Sequence, residues 1–262
     1  MRGIVLAGGL GTRLRPLTSV INKHLLPVYD RPMLFWPLEM LAEAGFEEVM
    51  VVLGGQSTEE IVKLCKDGRE FGFRRLYYVY QEGEGGIAAA LSLTEEFVHN
   101  DNCCVVLGDN LMLGDSLVRY KRVFESINDE SQQMEDVGAT KAMVLLSEVP
   151  DPQNYGVPTI EKGGRVITIT EKPEKPMSRY GVIGVYFYPP DVFQKIRTCQ
   201  PSKRGELEIT DVNNLYAEEG RLAHMTVKGQ WIDAGSSIAA WVQAGKLVEE
   251  YNKKELVGTE KG

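Results

Sequence analysis

Residues Leu6 to Arg15 read L-A-G-G-L-G-T-R-L-R and follow directly on the apolar run Arg2 to Ala7. A buried strand that delivers the chain into a glycine-dense turn flanked by cations decides how the rest of the sequence is read. Gly8, Gly9 and Gly11 tolerate positive φ and close approach, so successive backbone N–H groups can converge on one anion. Thr12 and Arg13 add a hydroxyl and a guanidinium, and Lys23 adds an ammonium further on. The pattern points to a polyphosphate. Two commoner glycine loops do not fit: counting G-x-G-x-x-G from Gly9 puts Leu14 where the third glycine belongs, and no G-x-x-x-x-G-K-[ST] occurs. A plain tight turn accounts for the glycines but not for Arg13 and Lys23 beside them.

The 262 residues are 43% hydrophobic and 25% charged, which suits one soluble domain with a large core. A net charge of −8 argues against a nucleic-acid partner or an anionic membrane, since both demand a basic face. Cys65, Cys103, Cys104 and Cys199 include no C-x-x-C pair, and the adjacent Cys103 and Cys104 point to opposite faces of a strand, so all four read as reduced thiols. With no secretory leader and no run of 18 apolar residues, a cytoplasmic protein is expected.

Working outward from the first strand, alternation of apolar runs and helical periods predicts repeated βα winding. Helices are expected at Pro32 to Ala44 (opened by its proline), Thr58 to Cys65, Gly86 to His99 and Asp115 to Glu125. Strands are expected at Glu48 to Leu53, Leu76 to Tyr80, Cys103 to Leu107 and Ala139 to Leu146. The polar run Asn128 to Asp136 reads as a solvated loop. After Pro150 the pattern changes. Val157 to Ile160 and Arg165 to Thr170 flank Gly163-Gly164 as a hairpin, and Gly181 to Tyr188 forms another strand. Helix Glu208 to Glu219, strand Leu222 to Val227 and a helix from Ser237 to about Tyr251 complete the chain. The predicted fold class is α/β: a Rossmann-like, mostly parallel mixed sheet flanked by helices, with hairpin additions in the second half. Residues 1–251 read as one domain whose halves, 1–146 and 147–251, face each other across a cleft, and 252–262 as a frayed tail.

Asp109, in L-G-D-N, leaves the carboxyl end of a predicted parallel strand, where α/β sheets bind ligands. Asp233, in W-I-D-A-G, has a similar context in the second half. Singly, each reads as a turn-forming aspartate; together they suit one Mg²⁺, which takes hard oxygen ligands and bridges phosphate oxygens. Further polar segments are Gln81 ahead of G-G-I-A-A-A, T-E-K-P at Thr170 to Pro173, and R-G-E-L-E-I-T-D at Arg204 to Asp211.

From Arg2 to about Gly245 these motifs resemble the sugar-1-phosphate nucleotidyltransferase family, and within it the glucose-1-phosphate thymidylyltransferases of the short type. L-A-G-G-x-G-T-R-L-x-P marks the wider family, whereas K-H-L-L-P-V-Y-D-R-P-M, L-G-D-N, E-K-P and R-G-E-L-E-I-T-D-V-N point to the glucose-1-phosphate enzymes. The resemblance implies a nucleotide-diphospho-sugar transferase fold, with a nucleotide-binding half at 1–146 and a sugar-phosphate-binding half at 147–251. It implies in-line attack of a sugar phosphate on the α-phosphorus of a Mg²⁺-bound triphosphate, releasing pyrophosphate without a covalent enzyme intermediate. The substrates implied are dTTP (or UTP) and α-D-glucose 1-phosphate, in a homo-oligomer, often a tetramer.

By motif position, the resemblance puts Leu6, Gly8, Gly9, Gly11 and Thr12 on the nucleotide, with Arg13 and Lys23 on its phosphates. It puts Gln81 on the pyrimidine edge beside Gly86, and Asp109 and Asp233 on the metal. Lys172 and Arg204 fall on the acceptor phosphate, and Asn110, Gly156, Glu171 and Val182 on the sugar hydroxyls. The bland readings are solvated cations for Lys172 and Arg204, a loop residue for Gln81 and an edge-strand charge for Glu171. Tyr155 and Trp231 fit simple packing beneath the sugar.

The chain departs from the family pattern at Gln81 to Gly86, which lacks the usual proline and aspartate, and at Met177 to Val182, which bears on base and sugar choice. It also ends without the extra helices that carry a regulatory product site in longer relatives, so feedback control is not expected. A uridylyltransferase is the alternative within the class, because uracil shares thymine's edge and a pocket methyl is worth only about 1 to 3 kcal/mol. A non-catalytic nucleotide-sugar sensor is the alternative outside it.

Overall fold

The computed structural model describes residues 1–133 and 140–259. Its first half comprises β1 (Arg2–Ala7), the short strands β2 (Pro27–Val28) and β3 (Arg31–Pro32), α1 (Phe35–Glu43), β4 (Glu48–Gly54), α2 (Thr58–Cys65), β5 (Arg75–Gln81), α3 (Ile87–Ser92), α4 (Glu95–Val98), β6 (Cys103–Leu107), β7 (Asn110–Leu113) and α5 (Leu117–Gln133). The second half follows with β8 (Ala142–Glu148), β9 (Gly156–Ile160), β10 (Val166–Glu171), β11 (Tyr180–Tyr188), α6 (Val192–Thr198), α7 (Ile209–Glu218), β12 (Leu222–Thr226), β13 (Gln230–Asp233) and α8 (Ile238–Thr259).

Strands β6, β1, β4 and β5 lie side by side and parallel, with Val5 opposite Val51 on one side and Val106 on the other. Side chains alternate along a strand, so Val5 and Ala7 enter a core with Leu38 and Leu41 of α1 and Phe124 of α5. Ile4 and Leu6 face the opposite way, toward Ala88 and Leu91 of α3 and Tyr216 of α7. Cys104 and Cys103 divide between the same two cores, as expected, and burial pushes the Cys103 thiol up to about 12. Beyond β6 the sheet turns antiparallel: β11 pairs with β6, β8 and β9, and β10 pairs with β9 as the expected hairpin. The α/β, Rossmann-like mixed sheet is therefore the fold adopted.

Topology places the site. The chain leaves β1 for β4 on one side, then returns after β5 to put β6 on the other side of β1. The carboxyl ends of strands at such a reversal leave an open crevice. Gly8 follows β1 there, and Gly108-Asp109 follow β6. A separate ribbon reaches the same place from the second half: β7 pairs antiparallel with β13, Asn110 opposite Asp233 and Leu111 opposite Ile232. Leu111, Ile232 and Leu14 form a third core with Ala244 and Val248 of α8.

Several elements differ from expectation. α1 begins at Phe35, because Arg31–Pro32 pair with β2 and the amides of Met33 and Leu34 donate to Leu26 O and His24 O. Pro37 falls in the first turn, where its missing N–H would have no intrahelical partner. The single helix expected over Gly86 to His99 is interrupted where Thr94 Oγ1 and Thr94 N both donate to Leu91 O. The polar run from Asn128 is helical to Gln133; Asn128 is buried, donates to Phe124 O and Lys141 O, and accepts from Lys141 N at 2.7 Å. The rest of that run, and Ala139, lie outside the described residues. Helix α6 and the ribbon β7–β13 have no counterpart in the sequence reading, and α8 continues past Tyr251. Among the described residues no helix is long and apolar enough to cross a membrane.

Candidate active site

The glycine loop is shaped by contact as much as by freedom of φ. A Cβ on Gly8 would collide with Gln81 Oε1, and a Cβ on Gly54 would collide with the Gly8 backbone. At Gly54 the carboxyl ends of β1 and β4 thus close to a spacing that a side chain forbids, whereas the neighbour of Gly8 is the movable end of Gln81. Gly11 turns the loop at φ +67, and its carbonyl accepts from Thr18 Oγ1 at 2.7 Å. Leu6, Gly8, Gly9, Lys23, Gln81 and Gly86, with Asp109, line a cavity of about 220 Å³. Gln81 donates weakly to Gly86 O at 3.4 Å, leaving its amide edge open to a ligand. Gly11 and Thr12 line neither this cavity nor its neighbour; Gly11 sets the turn, and Thr12 is exposed in a short 3₁₀ turn.

The neighbouring cavity, about 230 Å³, brings together Arg13, Asp109, Asn110, Gly156, Glu171, Lys172, Val182, Arg204 and Asp233. The two cavities share Ile87, Leu107, Asp109 and Glu206. At Gly156 a Cβ would press Ile169 at 2.9 Å, so glycine lets β9 sit flat beside β10. Lys172 holds φ +44, a left-handed conformation that stores about 1 to 3 kcal/mol in a lysine, and is fixed by its N–H to Tyr155 O at 3.0 Å. Glu171 accepts from Thr210 Oγ1 at 2.5 Å and lies 3.5 Å from the Lys172 ammonium.

Asp109 and Asp233 meet through the β7–β13 ribbon. Ala234 N donates to Asp109 O at 3.0 Å, and a Cβ on Gly235 would run into the Asp109 carboxylate. Their electrostatics diverge. Burial works against the Asp109 charge, but Lys23, at 2.5 Å, more than offsets it and holds the carboxyl below the ordinary range. Burial, and then the Asp109 charge, push Asp233 up to about 7. Two close carboxylates of which one resists ionisation form a site that gains from a cation. Among the described residues no group of three or more His, Cys, Asp or Glu converges on a metal position. Two carboxylates with substrate phosphates and water completing the shell is how Mg²⁺ is commonly held, so the residues present fit that ion.

Asn110 is engaged before any ligand arrives. Its carbonyl accepts from Gly184 N at 3.2 Å and Trp231 Nε1 at 2.8 Å, and its amide donates to Asp109 Oδ1 at 2.9 Å. It therefore braces Asp109 and Trp231, whose ring meets Tyr155 edge-on at 5.6 Å. Arg204 is enclosed by acids: Glu208 at 2.8 Å, Glu171 at 3.4 Å and Glu206 at 3.6 Å. Glu206, Glu208 and Thr210 line the second cavity and escaped the sequence reading. The signal was present in R-G-E-L-E-I-T, where the extended stretch Glu206 to Glu208 puts both glutamates on one face ahead of Thr210 in α7. His24, buried behind Gly108, also escaped; burial, then the Lys23 charge, lower it to about 3, so it is neutral.

A glucose-1-phosphate thymidylyltransferase of Neisseria meningitidis is 38% identical over 239 residues, 90% of this chain and 78% of the relative. One of Actinoplanes sp. is 40% identical over 90% of this chain and 74% of its own length. A Bacillus anthracis crystal structure, provisionally named a glucose-1-phosphate thymidylyltransferase, superposes with a TM-score of 0.84 at 40% identity, covering 94% of each chain. A UDP-glucose pyrophosphorylase complexed with UDP-glucose is more distant, with a TM-score of 0.78 and 26% identity over 95% of this chain and 98% of that one. The sequence profile of the nucleotidyl transferase family matches residues 2–250, and the chain belongs to that family.

Proposed function

We infer that the protein is a glucose-1-phosphate thymidylyltransferase, condensing dTTP with α-D-glucose 1-phosphate to dTDP-glucose and pyrophosphate. One observation carries the reading: the cavity with the glycine loop and Gln81 and the cavity with Lys172 and Arg204 join at Asp109. A donor triphosphate laid along Gly8 and Gly9 puts its base toward Gln81, whose amide pairs with the imide edge of a pyrimidine, and its phosphates toward Lys23, with Arg13 facing them from the second cavity, which it lines beside the shared Asp109. A sugar phosphate in the second cavity meets Lys172 and Arg204, with Glu171, Thr210 and Val182 around the ring. An acceptor phosphate oxygen then bonds to the α-phosphorus while the bond to the α–β bridging oxygen breaks, and the electron pair leaves with pyrophosphate. Such a displacement needs alignment and charge neutralisation rather than a protein nucleophile. Asp109 and Asp233 would hold Mg²⁺, which when bound neutralises charge on the triphosphate. Arg204 exchanges part of its carboxylate enclosure for the acceptor phosphate.

The test is pyrophosphate release with Mg²⁺ across dTTP, UTP, CTP, ATP and GTP, each with a panel of sugar 1-phosphates. The expected result is turnover with dTTP at least equal to UTP, glucose 1-phosphate as acceptor, and poor use of purines. Higher turnover with ATP or GTP than with both dTTP and UTP would contradict the assignment, and a UTP preference would move it to the uridylyltransferase.

A further inference from the structure

Lys23 is flanked by two buried polar residues, Asn22 and His24, 4% and 1% exposed, whose side chains turn away from both cavities into one hydrogen-bond network. Asn22 is its hub. Its Nδ2 donates to Gly54 O and Gln56 O, both at 3.0 Å, and its Oδ1 accepts from His24 N at 3.1 Å and His24 Nδ1 at 2.8 Å. The amide's donors and acceptor are thus all engaged, and the two donors fix the flip so that His24 carries its proton on Nδ1. What the hub joins is the candidate donor site. Gly54 abuts the Gly8 backbone, Gln56 donates to Thr18 O at 2.8 Å, and Thr18 Oγ1 donates to Gly11 O at 2.7 Å. One side chain therefore ties the turn bearing Lys23 to both ends of the phosphate loop.

We propose that Asn22 is a positioning residue for polyphosphate binding, holding the Lys23 ammonium in register with the Gly8–Gly11 loop from 32 residues away in sequence at Gly54. The proposal rests on the donor role given to Lys23 above. It follows that removing the Asn22 amide matters only while Lys23 is present to be positioned, which a merely structural role would not produce.

The experiment is a double-mutant cycle in binding of inorganic pyrophosphate with Mg²⁺, read by calorimetry on the unmodified protein, Asn22→Ser, Lys23→Ala and the pair, with folding followed by circular dichroism. Lys23→Ala is expected to weaken binding about 10-fold or more, Asn22→Ser by about 5-fold or more, and the pair no further than Lys23→Ala within about 2-fold. Asn22→Asp, which keeps the acceptor toward His24 but loses both donors, gives the same cycle should the serine variant unfold. Additive losses, binding by Asn22→Ser equal to the unmodified protein, or no binding by the unmodified protein would overturn the proposal. Pyrophosphate binding with the non-additive pattern, but no nucleotide-sugar formation, would remove the proposed reaction and leave the role of Asn22 standing.

Discussion

Lys23 Nζ lies 2.5 Å from Asp109 Oδ2, an ion pair across 86 residues of sequence that joins the cation of one cavity to the carboxylate shared by both. Both side chains are largely buried, at 15% and 12% exposure, so each is the other's main compensation until phosphates arrive. Removing one member of such a pair strands the other. Lys23→Met is expected to lower stability by roughly 3 kcal/mol, and Asp109→Asn in the same chain to restore most of it. Urea unfolding of the two singles and the pair measures this; equal stability of Lys23→Met and the parent would show that the pair is solvated.

Asp233 gives the opposite sign. Its folded pKa of about 7 lies above the unfolded value near 4, so the native state binds the proton more tightly and stability falls as pH rises through that window. Asn at this position can still accept from Gly235 N, as Asp233 does at 3.0 Å, and never ionises. Metal-free Asp233→Asn should therefore exceed the parent by about 1 kcal/mol or more at pH 8, the difference vanishing below about pH 4. Thermal unfolding at the two pH values decides it, a constant difference being the contrary result.

Gly8→Ala tests the base reading. The new methyl meets the free end of the Gln81 side chain, which can move, so the protein should fold with nearly unchanged stability. The displaced amide should lose its hold on the pyrimidine edge, at a cost of about 1 to 3 kcal/mol in discrimination between dTTP and ATP. Retention of the parent's selectivity in competition assays would take Gln81 off the base.

Lys172→Met should weaken use of the sugar phosphate by roughly 1.5 to 3 kcal/mol while leaving triphosphate affinity near that of the parent, because Lys172 lines only the second cavity. Titration of both substrates checks this, and equal weakening of the two would remove Lys172 from the acceptor side.

How much of this was legible in the sequence depends on the range of the interactions. The glycine loop, Asp109 and the hairpin at Gly164 are written in neighbouring residues, and strand alternation correctly assigns Cys103 and Cys104 to opposite cores. The start of α1 is not written locally, because the carbonyls that keep Met33 and Leu34 out of the helix belong to Leu26 and His24 in another turn. The helix through Asn128 has a loop-like local sequence, because its polar side chain is satisfied by Lys141, across the chain segment that follows. Asn110 lines the second cavity, yet its bonds to Gly184 and Trp231 join residues 74 and 121 positions away, which no local pattern encodes.

Asp109 and Asp233, reached from opposite halves of the chain through the β7–β13 ribbon, are proposed to serve one metal in one reaction. The most direct measurement is kcat for pyrophosphate release with Mg²⁺, dTTP and glucose 1-phosphate in Asp109→Asn, Asp233→Asn and the double variant. Each single change should leave the fold intact and reduce kcat by a factor on the order of 10² or more. Because the two carboxylates act on the same ion, the double variant should fall within a few-fold of the worse single one. Fully additive losses, or turnover by the parent that survives excess chelator, would contradict the shared-metal site.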